Sequence, residues 1–158
     1  MGLPVANVQQ FDFEEKSRAQ VTYLNAYTAV TCSHFVKTYT VDDLSFLRMI
    51  PPPNALELKI TASMPKVGDM LHLLWCDRGF CCIKDVRVSR LQPNDNTFAV
   101  FAGWYTPEDM GGISGALCWD GKGACGIVSG VQRDTKTTHF WVQKIVPNFA
   151  SRVDGSVT

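Results

Sequence analysis

The chain has 158 residues, 46% of them hydrophobic, which is enough to bury the core of one ordinary domain or of two small half-barrels. Its 15 basic residues balance its 15 acidic ones, so no global charge draws it to nucleic acid or to an anionic membrane. Its apolar runs are too short to span a bilayer, and the opening MGLPVANVQQ lacks the basic and apolar regions of a secretory signal. We therefore expect no nucleic-acid partner and no membrane segment in this chain.

Strand-like segments separated by turn residues follow one another along most of the chain. They are rich in Val, Ile, Thr and aromatic residues, and several alternate polar with apolar positions, as half-buried strands do. In chain order they are AQVTYLNAYTAVTC, SFLRMI, ALELKI, MLHLLW, FCCIKDVRVSRL, TFAVFAGWY, GALCW, ACGIVSGV and HFWVQKIV. Residues 11–18 and the turn after Val146 are the candidate helices, and the triple proline at 51–53 predicts a connection.

This pattern predicts an all-β chain whose halves form two small antiparallel barrels, at about residues 20–75 and 80–146 of a single domain. A cleft between two packed barrels is the natural place for a functional site.

Ser114 lies between glycines in the segment GGISGALCWDGKGACGIVSG, residues 111–130. A serine nucleophile needs a general base within hydrogen-bond reach, a group that orients the base, and amide donors for the oxyanion. The neighbouring glycines allow a turn tight enough to aim the N–H groups of Gly112 and Ser114 at one point. Taken alone, however, GGISG is more typical of a plain loop between strands.

A histidine and an aspartate elsewhere in the chain supply the other two groups. His34 follows the strand TAVTC in a small polar turn, whereas His72 lies inside MLHLLW and is expected to be a strand residue. Asp43 stands at the head of LSFLRM, where a carboxylate could accept the imidazole N–H and stabilise its charged form. An ordinary turn histidine and a solvated turn acid are the alternatives.

The segments TAVTCSHF, DLSFLRM and GGISGALCWDGKGACGIVSG together resemble the His, Asp and Ser blocks of chymotrypsin-like serine proteases, in that family's chain order. The intervening ALELKITASMPKVGDMLHLLW resembles the stretch that leads from the Asp strand to the end of the first barrel. The short length and the G-x-S-G form are similar to the polyprotein-processing proteases of positive-strand RNA viruses, such as those of astroviruses and sobemoviruses.

The resemblance implies a serine endopeptidase with the chymotrypsin-like two-barrel fold, which cleaves a viral polyprotein in the host cell cytoplasm, within or released from a longer polyprotein. It makes His34 the general base, Asp43 its orienting carboxylate and Ser114 the nucleophile. The amides of Gly112 and Ser114 would form the oxyanion hole. No cofactor is implied.

The interval between the first two blocks departs from the family, because Asp43 follows His34 by only nine positions where relatives usually insert a further strand. Asp42 is one alternative, and Asn54 at the head of NALELKI is another, although an amide orients imidazole without stabilising its charge. Ile113 stands where secreted relatives have Asp, so activation by a new N-terminus is not available, and we expect a preformed site.

The resemblance does not decide which substrate residue is recognised immediately before the scissile bond. Glu108 and Asp109, ahead of the nucleophile, would meet a basic side chain, whereas His139 on the last strand would meet an acidic one. Val128 stands where Gln-specific viral relatives have a histidine, so Gln specificity through that residue is not expected.

Ser129 and Gly130 are predicted to pair with the backbone of a peptide substrate bound as an extended strand. The alternative function is a non-catalytic module of the same fold that binds RNA or a partner protein. Its neutral charge argues against RNA.

Six cysteines, in a chain without an evident signal segment, are expected to be reduced thiols. A structural zinc between the barrels is the less favoured alternative, because the spacing fits a tetrahedral set poorly, so no metal is expected. The six are Cys32, Cys76, Cys81, Cys82, Cys118 and Cys125.

Overall fold

A computed structural model describes residues 3–14, 17–34, 39–61, 63–105, 112–133 and 136–146. Within these ranges the first half forms β1 (Val8–Glu14), β2 (Ser17–Tyr23), β3 (Thr28–Cys32), β4 (Tyr39–Val41) and β5 (Leu44–Arg48). The second half forms β6 (Met70–Asp77), β7 (Phe80–Gln92), β8 (Thr97–Phe101), β9 (Leu117–Trp119), β10 (Ala124–Arg133) and β11 (Thr138–Lys144). Two short 3-10 helices lie at Val5–Asn7 and Pro93–Asp95.

The two halves differ in how their strands close. The first forms a five-stranded sheet in the order β1-β2-β3-β5-β4, and the second forms a closed barrel in the order β10-β11-β8-β7-β6-β9. The predicted all-β class is therefore confirmed, with a sheet where the first barrel was expected. Because β6 pairs with β7 and β9, the barrel begins at Met70, whereas the sequence suggested a boundary between residues 75 and 80.

Two segments fold differently from their prediction. The helix predicted at residues 11–18 is wrong, because β1 and β2 pair there as an antiparallel hairpin that places Phe11 opposite Ala19. ALELKI, predicted as a strand, is a connection with one isolated bridge between Ile60 and Ala124. The turn predicted after Val146 lies outside the described residues, and no helix among the described residues is long and apolar enough to cross a membrane.

An apolar cluster joins the sheet to the barrel. Leu24, Val30 and Phe46 from the sheet pack with Leu74 and Ile127 from the barrel, and all five are almost fully buried. A separate cluster fills the barrel interior. Because the joining cluster draws on both halves, the sheet and the barrel pack against each other through a common apolar core.

Three of the six free thiols are buried, those of Cys32, Cys118 and Cys125. Because burial disfavours the thiolate, it raises the pKa of Cys32 to about 12 and that of Cys125 to about 11, and it raises the pKa of Cys118 well above its usual value. These side chains act as small apolar core residues in neutral solution.

We predict that the fold loses stability as the pH rises from about 9 towards about 12. Burial raises the native pKa of Cys32 above its ordinary 9.0, so the native chain keeps a proton there that the unfolded chain loses, and the free energy of unfolding falls. One such thiol contributes about 1.4 kcal/mol per pH unit at most. Urea titrations across this range should show a shallower fall for Cys32→Ala than for wild type, and identical slopes would contradict the prediction.

Candidate active site

Ser114 lies in a tight turn that the flanking glycines make possible. The amide of Ala116 donates to the carbonyl of Ile113 at 3.0 Å and closes the turn. Gly112 and Gly115 have φ angles of 90° and 94°, in the left-handed region that favours glycine. The Ile113 side chain is buried in the barrel, which fixes the turn from inside.

The peptide group between Ser114 and Gly115 bridges the two halves of the molecule. Its carbonyl, that of Ser114, accepts from the backbone N–H of Gln20 in β2 at 2.7 Å. Its N–H, that of Gly115, donates to the carbonyl of Val128 in β10 at 2.8 Å. The backbone of the candidate nucleophile is therefore held from both sides of the cleft.

The Val128 carbonyl also links this turn to the strand that leads to His34. It accepts a hydrogen bond from the Cys32 thiol at 2.9 Å, and Cys32 ends β3 two residues before His34. The Val128 side chain is fully buried in the barrel core, so its contribution here is made by the backbone.

A short hairpin brings Asp43 beside the His34 turn. Val41 of β4 lies opposite Leu44 of β5, so Asp42 and Asp43 form the two-residue turn between these strands. Asp42 has a φ of 57°, as such hairpin turns require. The nine positions from His34 to Asp43 therefore include one three-residue strand, β4, and the hairpin turn that follows it.

The backbone N–H of Ser33 donates to the carbonyl of Asp43 at 2.7 Å, which places Asp43 next to the residue that precedes His34. His34, Asp42 and Asp43 are exposed, and Ser114 is half-buried. The hydrogen bonds that place these two turns run between backbone groups rather than between the three side chains. The triad therefore stays a prediction, and Asn54 lies exposed in the connection after β5.

A cleft of about 560 Å³ lies between the Asp42–Asp43 turn, residues 92–97 and β10, and neither Ser114 nor His34 lines it. Ser129 and Gly130 line it, and a β-bulge lies between Val128 and Gly130. Because Val128 pairs with Val142 and Gly130 with Trp141, Ser129 is the extra residue of the bulge, and its backbone groups leave the regular ladder.

The remaining predicted substrate contacts are Glu108, Asp109 and His139. Glu108 and Asp109 lie outside the described residues. His139 is 9% exposed, its Nδ1 lies 2.9 Å from the Ser89 hydroxyl, and its ring centroid lies 5.1 Å from that of Phe101. Its contact with substrate stays a prediction.

Sequence reasoning missed the polar residues of β2 and β3 that hold the Ser114 turn. Thr22 donates from its hydroxyl to the carbonyl of Gly115 at 3.0 Å, and the Thr31 hydroxyl donates to the carbonyl of Gln20 at 2.9 Å. Their signal was the alternation of Gln20 and Thr22 with apolar residues in a strand that the structure buries on both faces. Within the described ranges, no group of three or more His, Cys, Asp or Glu side chains could hold a metal ion.

Comparison with known proteins finds the fold but no family. No family model matches the sequence, and no curated protein matches it significantly. Among solved structures, the scabies mite inactivated protease paralogue S-I1 matches with a TM-score of 0.67 at 10% identity, over 89% of this chain and 87% of that one.

Two further structures match over nearly all of this chain. Kallikrein-related peptidase 10 in complex with Zn²⁺ has a TM-score of 0.66 at 12% identity, over 98% of this chain and 96% of that one. The Rv3671c protease of M. tuberculosis, in an inactive form, has a TM-score of 0.65 at 16% identity, over 98% and 88%. The fold is therefore that of chymotrypsin-like serine proteases.

We predict that Gly115→Ala destabilises the chain far more than Gly121→Ala. Both glycines have nearly the same φ, 94° and 96°, so both alanines carry the left-handed strain of about 1–2 kcal/mol. A Cβ at Gly115 would lie 1.9 Å from the Gln20 carbonyl, whereas one at Gly121 meets nothing within 4 Å. Denaturant unfolding should show a loss of about 2–5 kcal/mol for Gly115→Ala. Equal losses in the two variants would show that the close approach to β2 does not exist.

Proposed function

We propose that this chain is a serine endopeptidase that uses Ser114 as nucleophile, His34 as general base and Asp43 as the orienting carboxylate. The observation that most supports the proposal is the Val128 carbonyl, which accepts from both Cys32 and Gly115. Through it, the strand before His34 and the turn of Ser114 meet at one point of a chymotrypsin-like fold.

In the proposed reaction, the Ser114 hydroxyl attacks the scissile carbonyl and its proton passes to His34. The tetrahedral oxyanion is stabilised by the N–H groups of Gly112 and Ser114. The C–N bond then breaks as His34 gives the proton to the leaving amine, and an acyl-enzyme remains on Ser114. Water, deprotonated by His34, hydrolyses that ester and restores the serine.

The proposed substrate is a viral polyprotein in the host cell cytoplasm, and the chain acts within a longer polyprotein or after release from it. The support for this is the short length of the chain and the G-x-S-G form around Ser114, which resemble those of small viral polyprotein-processing proteases. The substrate backbone would lie as an extended strand along Ser129 and Gly130, because the bulge there leaves backbone groups for pairing.

We predict that Ser114→Ala and His34→Ala each abolish nearly all turnover, with the double variant little worse than either, because the two residues act as a unit. Asp43→Asn should lower the rate on the order of 10⁴-fold if Asp43 orients the histidine. A peptide library screened by mass spectrometry supplies the substrate, and Asn54→Ala is the matched control with a small effect.

Labelling by a fluorescent fluorophosphonate, in which the Ser114 oxygen displaces fluoride, gives a readout that needs no known cleavage motif. Equal labelling of wild type and Ser114→Ala would reject the nucleophile. A larger loss in Asp42→Asn than in Asp43→Asn would move the acid by one residue. An unlabelled wild type that binds RNA with steep salt dependence would favour the non-catalytic module.

A further inference from the structure

Gln20 is a buried amide whose side chain bonds to two backbone segments of the other half of the molecule. It is 1% exposed. Its Nε2 donates to the carbonyl of Cys76 at 2.9 Å and to that of Gly112 at 3.0 Å, and its Oε1 accepts from the N–H of Cys76 at 2.8 Å. A buried polar group left without a partner costs about 1–3 kcal/mol, so these bonds favour one arrangement.

Strand β6 has two neighbours, β7 and β9, but its pairing with β9 ends before Cys76, so the backbone groups of Cys76 on that side need another partner. β9 pairs with β6 at His72, Leu73 and Leu74. Further along β6, Cys76 lies opposite Cys81 of β7. On the side of β6 that faces away from β7, the pairing with β9 has already ended at Leu74. The Gln20 side chain closes that edge by pairing with both backbone groups of Cys76, as a neighbouring strand would.

The same residue holds the turn that carries Ser114. Gln20 bonds to the Gly112 carbonyl from its side chain and to the Ser114 carbonyl from its backbone N–H. A peptide group is planar, so a fixed carbonyl also fixes the N–H on the other side of the bond. The Ile113 carbonyl is held in turn by Ala116, which sets the direction of the Ser114 N–H.

We propose that Gln20 is a positioning residue for the oxyanion hole. It fixes the Gly112–Ile113 and Ser114–Gly115 peptide groups, which flank the peptide group that carries the Ser114 N–H, and it ties them to the wall of the barrel at Cys76. This inference rests on the proposed function, because it assigns Gln20 a role in the reaction of Ser114. The bonds from Gln20 hold the backbone of the turn whether or not Ser114 reacts.

The test compares Gln20→Met, which keeps the length of the side chain and loses all three side-chain bonds, with wild type. A turn free to shift by a fraction of an ångström misplaces the oxyanion donors, so the maximal rate of fluorophosphonate labelling should fall on the order of 10–100-fold. The half-saturating probe concentration should change less than about threefold, because the donors act mainly in the transition state. Gln20→Glu keeps an acceptor for the Cys76 N–H and, once protonated by burial, one O–H donor for the two carbonyls, so it should show the same split with a smaller loss and serves if Gln20→Met does not fold.

Asn7, at the end of the first 3-10 helix, offers a matched control. It is also a fully buried amide, and it too pairs with both backbone groups of one residue, Leu56, and with a second carbonyl, that of Tyr23. Asn7→Leu should therefore lose a comparable amount of stability in urea titrations while its labelling rate, corrected for the folded fraction, stays at the wild-type level.

Hydrogen exchange followed by mass spectrometry separates this inference from the proposed function. Amides of residues 112–116 should exchange faster in Gln20→Met than in Asn7→Leu, since local opening of the turn needs fewer bonds broken. Unchanged exchange there, or a labelling loss equal in both variants, overturns the role of Gln20. Wild type that labels no better than Ser114→Ala overturns the proposed function instead, while the exchange data still decide whether Gln20 holds the turn.

Discussion

The carbonyl oxygen of Val128 is the contact on which the rest of the site depends. It accepts from the Cys32 thiol of the sheet and from the Gly115 amide of the Ser114 turn. A backbone carbonyl has two lone pairs, so one atom can satisfy both donors without any added group. The apolar cluster that joins the halves holds them close enough for this shared acceptor, and the bulge that follows Val128 opens the barrel edge towards the cleft.

Local patterns were enough to predict most of the strands and the glycine turn. Alternating apolar residues predicted β6, β7, β10 and β11 close to their observed bounds, and GGISG predicted a tight turn in which Gly112 and Gly115 have positive φ. The helix expected at residues 11–18 does not form, because Phe11 pairs with Ala19 across a hairpin and packs against a buried cluster. The spacing of apolar residues in this short segment is compatible with a helix as well as with a strand, so the sequence pattern alone could not decide between them.

The residues that hold the site in place could not be predicted from local sequence patterns, because their hydrogen-bond partners are backbone groups far away along the chain. Gln20 bonds to residues 56 and 92 positions away, and Cys32 bonds to one 96 positions away. A sequence shows that a polar residue interrupts a buried strand, but it does not show which backbone carbonyl accepts the hydrogen bond from that residue. The place of Asp43 is set locally instead. The two-residue hairpin turn between β4 and β5 brings it back beside Ser33, the residue before His34.

These long separations also set the order in which the site is completed during synthesis. β2 and β3 leave the ribosome early, but the Gln20 side chain meets its farther acceptor only after residue 112 has been made, and the Cys32 thiol meets its acceptor only after residue 128. Synthesis adds about 5–20 residues per second, so the nascent chain spends several seconds without an assembled turn at Ser114. The turn at Ser114 is therefore assembled only once β10 has emerged, which delays any chemistry of this cleft.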